Sequence, residues 1–64
     1  MNNATDFACY CIKSLRRCDR LSVAHLQKGA RAPWDLAVDT INELVAQGIL
    51  IRVNDGLLEI APGH

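Results

Sequence analysis

The 64-residue chain reads as a mainly α domain closed by a small β-hairpin, and three observations carry that reading. Apolar residues recur at three- and four-residue steps in two stretches, one ending near Cys18 and one beginning near Pro33, as the buried stripes of amphipathic helices do. Between them, Ser22 and Gly29 bracket a short segment with the start and stop signals of a further helix. Last, Asn54-Asp55-Gly56 supplies a tight turn between two apolar runs, residues 49–53 and 57–60, which is a strong short-range hairpin signal. Two helices joined by a short turn and followed by a two-stranded wing make the winged helix-turn-helix, here three helices plus the wing.

Each element has its own local cause. Thr5 or Asp6 is placed to cap the first helix, with residues 1–5 left as a frayed terminus. Ala8, Cys11, Ile12, Leu15 and Cys18 give that helix one buried stripe, and Lys13, Arg16, Arg17 and Arg20 fall on its other side. Such a basic stripe serves either as a solvated face or as a surface for phosphates or acids. Asp19-Arg20-Leu21 breaks the pattern. Ser22 then caps a short second helix from Val23 to about Lys28, with Val23 and Leu26 facing the core and His25 as an ordinary helical residue, and Gly29 ends it. Ala30-Arg31-Ala32 turns the chain into the third helix, where Pro33 suits the first position and Asp35 favours the N-terminal dipole. Trp34, Ala37, Val38, Ile41, Leu44 and Val45 form its apolar stripe, and Gly48 terminates it. The domain is expected over residues 6–61, with 62–64 as a tail.

Composition removes several classes of function. Formal net charge is zero, whereas small DNA-binding modules commonly carry a cationic surplus to neutralise phosphates. No apolar run approaches the roughly 18 residues of a membrane span. The opening Met-Asn-Asn-Ala-Thr-Asp lacks the basic-then-apolar order of a signal peptide, so a free-standing cytoplasmic protein is expected. Cys9, Cys11 and Cys18 are odd in number, and their spacing with His25 matches no zinc pattern; reduced, buried or half-buried thiols are expected, with no metal and no cofactor. No catalytic residues are expected either, because no nucleophile–base spacing, metal motif or phosphate-cradling loop is present, and a core this small leaves little room for a small-molecule substrate.

The run of residues 21–50 carries a family resemblance. Ser22, Leu26, Gln27, Lys28 and Arg31 fall in register with a Ser-led, Leu-Gln-Arg-Arg-like second helix; Ala37, Ile41, Gly48 and Ile49 fall in register with the third helix and its glycine turn. In these positions the chain resembles the gamma domain of the FtsK DNA translocase. That resemblance implies a domain that reads a short, directional duplex sequence. The departures lie on the reading face: where the family has an Asn-Arg-x-x-Arg pattern that meets DNA, this chain has Asp35, Leu36 and Asp39, while Trp34 replaces the family's tyrosine.

Two functions of different class follow. In the first, the chain is an accessory or regulatory DNA-binding protein that meets duplex DNA through Ser22, Gln27, Lys28, Arg31, Trp34 and Arg52. In the second, it is a winged-helix protein-interaction module, an inhibitor or adaptor of mobile-element origin. Its acidic third helix (Asp35, Leu36, Asp39, Glu43) then docks a protein partner or a second copy of itself. Asp35, Asp39 and Glu43 recur every four residues and share one helix side, an arrangement that repels a polyanion.

Overall fold

The computed structural model describes residues 1–63; His64, placed above in the tail, and the side chain of Asp55 lie outside the described residues. Three helices, α1 (Ala4–Cys18), α2 (Val23–Ala30) and α3 (Trp34–Ala46), pack over a three-stranded antiparallel sheet. Its strands are β1 (Leu21–Ser22), β2 (Leu50–Val53) and β3 (Leu57–Ile60), in the order β1-β3-β2. This is a winged helix. The strand β1 is an addition to the sequence reading: two residues are too short to show an alternating pattern, and they become a strand because Leu21 and Ser22 pair with Leu58 and Leu57.

The helix ends differ from expectation in instructive ways. Asn3, rather than Thr5 or Asp6, caps α1, its side-chain oxygen accepting from the Asp6 N–H at 3.1 Å. At the other end Asp19 sits at φ 62°, ψ −52°, and the Arg20 N–H reaches the Cys18 carbonyl at 2.6 Å, a γ-turn that redirects the chain into β1. Gly29 does not end α2. The left-handed residue is Arg31 (φ 54°), where the Arg31 N–H bonds to Lys28 and the Ala32 N–H to Gln27, a Schellman closure without glycine. Gly29 instead lies against Tyr10, and a Cβ there would overlap the phenol hydroxyl and come within 3.3 Å of Cζ. Helix α3 closes as expected on Gly48 (φ 77°), with Gly48 N–H bonded to Val45 and Ile49 N–H to Leu44.

In the wing, Val53 pairs with Leu57, so Asn54–Gly56 forms a three-residue connection in a 3₁₀ turn with Gly56 at φ 74°. A three-residue hairpin loop needs a left-handed residue at its last position, and glycine takes it without a Cβ clash.

The core gathers one face from every element: Phe7, Cys11 and Leu15 of α1, Leu26 and Ala30 of α2, Ala37, Ile41 and Leu44 of α3, and Leu50 and Leu58 of the sheet. Two corrections follow for α1. Phe7 is fully buried and stacks near Tyr10 at 6.5 Å between centroids, whereas Cys18, assigned to the buried stripe, is exposed at the helix end. Burial also pushes the Cys11 thiol up to about 12 from its ordinary value of 9.0, because the thiolate would lose its hydration. Cys9 and Cys18 are free and exposed.

The buried face of α3 is displaced too. Ala37, Thr40, Ile41 and Leu44 are buried, Leu36 packs against their edge, and Trp34 is 53% exposed. The inward direction is turned by roughly 50° from the centre of the expected stripe of Trp34, Ala37, Val38, Ile41, Leu44 and Val45, taking each residue as 100° of helix. The displacement comes from α1, which packs against α3 and draws the Leu36–Thr40 side inward. Trp34, read as part of the core stripe, is therefore a surface residue.

Candidate interaction surface

The outward face of α3 is built by subtraction. With Ala37, Thr40, Ile41 and Leu44 facing the core, Asp35, Asp39, Asn42 and Glu43 are left exposed. Helix α3 contains no lysine or arginine. Two like-charged pairs at four-residue spacing each cost the helix about 0.2–0.5 kcal/mol. Asp35 recovers part of this at the positive N-terminal end of the dipole. Glu43 lies towards the negative end, where its Oε1 accepts from Gln47 Nε2 at 2.9 Å.

The residues expected to meet DNA divide into two groups. Three are engaged within the fold. Ser22 Oγ accepts from the His25 N–H at 3.1 Å as the cap of α2. Gln27 Nε2 donates to the Ala32 carbonyl at 2.7 Å, holding the α2–α3 corner. Arg52 Nη2 donates to Asn42 Oδ1 on α3. The register explains that last contact: Arg52 lies opposite Leu58 and two residues from Leu50, so it shares the sheet face that packs on the helices and runs over α3. The other three, Lys28, Arg31 and Trp34, are exposed around the α2–α3 corner. The Met1 nitrogen donates to the Arg31 carbonyl at 3.1 Å, which ties the N-terminus to the same corner.

The residues expected to meet a protein lie together. Leu36, Asp39 and Glu43 line one open groove of about 360 Å³ with Thr40, Leu44 and Gln47 of α3 and with Ala4, Thr5 and Ala8 of α1. Its floor is apolar, from Ala4, Ala8, Leu36 and Leu44, and its lip is acidic, from Asp39 and Glu43. Asp35 stands one turn before Asp39 on the same outward side. Sequence pattern alone placed Leu36 off the core stripe; it did not reveal the groove, because Ala4, Thr5 and Ala8 come from a helix about thirty residues away.

A second depression of about 750 Å³ lies at the far end of α1, between Leu15, Arg16, Arg20 and the segment from Glu59 to Gly63. Arg20 and Glu59 form an ion pair across it. The basic side chains Lys13, Arg16 and Arg17 are exposed on α1. Among the described residues no helix is long and apolar enough to cross a membrane, and no group of three or more metal-ligating side chains is present.

Comparison with protein-family models, with curated proteins and with solved structures gives no significant match to this chain.

Proposed function

We propose that this winged helix is a protein-interaction module, an adaptor or inhibitor, that docks its partner on the acidic and apolar side of α3. The observation that carries the reading is the composition of that helix's outward face: Asp35, Asp39 and Glu43, with no cation on the helix and with Arg52 of the wing directed to Asn42. A winged helix that reads sequence presents this helix to the major groove. One carboxylate there can accept from a cytosine amino group, but three along one face oppose the approach of a polyanion. The same carboxylates beside an apolar floor suit a protein surface that offers a hydrophobic anchor flanked by lysine or arginine.

A second reading, as a duplex-DNA-binding protein, draws on a different observation: Lys28, Arg31 and Trp34 are all exposed at the α2–α3 corner. The resemblance to the FtsK gamma domain belongs to that reading. Fluorescence anisotropy with mixed-sequence and G-rich duplexes at low salt separates the two. The protein-interaction reading expects no binding at tens of micromolar chain, and a gain of affinity when Asp35, Asp39 and Glu43 are together changed to their amides. Salt-sensitive binding by the unaltered chain, weakened by Lys28→Ala or Arg31→Ala, would replace the first reading by the second.

A further inference from the structure

We propose that the groove between α1 and α3 receives the Trp34 corner of a second copy of this chain, giving weak head-to-tail self-association. The inference rests on the protein-interaction reading and specifies its partner.

Two surfaces of the molecule are complementary. One is the groove, with its apolar floor (Ala4, Ala8, Leu36, Leu44) and acidic lip (Asp39, Glu43). The other is the α2–α3 corner. Among the described residues the exposed large apolar side chains are Met1, at 41%, and Trp34, at 53%; Trp34 stands at this corner, and the Met1 nitrogen is bonded to its Arg31 carbonyl. Lys28 and Arg31 are its exposed cations. An aromatic anchor flanked by positive charge thus faces outward on one part of the surface, and an apolar slot flanked by negative charge lies on another. At about 360 Å³ the slot is at the lower end of the range for ligand sites, which suits one or two inserted side chains.

The chain cannot make this contact with itself. Trp34 and Leu36 are two residues apart and so point about 200° apart around α3, and Trp34 does not line its own groove. A neighbouring copy is required, and because the two patches differ, the contact is heterologous and leaves a free groove at one end and a free corner at the other. The basic face of α1 is a poorer occupant. Its exposed residues Lys13, Arg16 and Arg17 answer the charge of the lip but bring no large apolar side chain to the floor.

Complementation between two altered chains tests the contact. Trp34→Ala removes the anchor and keeps the groove. Asp39→Lys with Glu43→Lys reverses the lip at exposed positions and keeps the anchor. Sedimentation equilibrium of the unaltered chain is expected to show mass rising with concentration around a midpoint on the order of 100 μM, the range of a small transient interface, and falling back with added salt. Each altered chain alone should stay monomeric at those concentrations. Their equimolar mixture should form a heterodimer and nothing larger, because only one anchor–groove pair remains. The chain has a single tryptophan, so emission from the mixture comes only from the lip-reversed copy and should shift to the blue on mixing. An unaltered chain that stays monomeric with solvent-exposed Trp34 emission at several hundred micromolar overturns the self-association. So does a mixture that fails to pair, or a lip-reversed chain that self-associates unchanged. These results leave the acidic face open to a different protein, whereas salt-sensitive duplex binding by the unaltered chain removes the underlying reading.

Discussion

Alkali is a selective probe of how α1 is packed. The Cys11 thiol is fully buried beside Phe7 and Leu15, and its folded value of about 12 stands against 9.0 for the same group in water. The shift is upward, so the folded state holds the proton more tightly than the unfolded chain does. Below pH 9 both states are protonated and the stabilising contribution is present in full. Above it the unfolded chain ionises first, and stability falls by about 1.4 kcal/mol per pH unit until the folded thiol ionises near 12. Between roughly pH 8 and pH 10.5 the expected loss is about 2 kcal/mol, a large fraction of what a domain of this size can hold. Urea unfolding followed by circular dichroism at the two pH values measures it, with Cys11→Ala as the reference that lacks the group. The difference between the chains isolates Cys11 from the other alkaline titrations. At pH 8 a thiol reagent should modify Cys9 and Cys18 quickly and Cys11 only as the chain unfolds. Parallel loss of stability in the two chains, or three thiols reacting at one rate, would refute the reasoning.

Other outcomes follow from the placement of α3 and its neighbours. Trp34→Ala should leave thermal stability nearly unchanged, within about 0.5 kcal/mol, because the indole is a surface group. Ile41→Ala, at a fully buried position seven residues further along, should cost about 2–5 kcal/mol and leave a marginal or unfolded domain, with Ile41→Val at about 1 kcal/mol as the graded control. A larger loss from the tryptophan than from the isoleucine would reverse the assignment of the two faces. Ser22→Ala should lower stability by about 1 kcal/mol in the same denaturation assay, since the His25 N–H loses its acceptor at the start of α2.

Much of the fold was readable because it depends on neighbours along the chain. The cap at Ser22, the glycine closure at Gly48, the turn at Asn54–Gly56 and the periodicity of α3 each arise within a few residues. What escaped depended on distant partners. Leu21 and Ser22 acquire strand geometry only from β3, some thirty-five residues away. Phe7, absent from the expected stripe, is buried and Cys18, included in it, is exposed, because helical periodicity specifies that a stripe exists but fixes its direction only loosely near the ends. The position of Gly29 is similar: a glycine near a helix end suggested a stop, and its actual use is to let Tyr10 lie close.

The candidate surface divides in the same way. That Asp35, Asp39 and Glu43 share one side of a helix is a consequence of four-residue spacing and needs no tertiary information. Tertiary packing decided the rest. Docking of α1 rotated α3 so that Trp34 turned outward and Leu36 became part of the floor of a groove, and strand register carried Arg52 over α3 to Asn42. Local spacing specifies which side chains travel together on one element. Which way that element turns, and what stands opposite it, is settled by burying the most apolar area across all the elements at once.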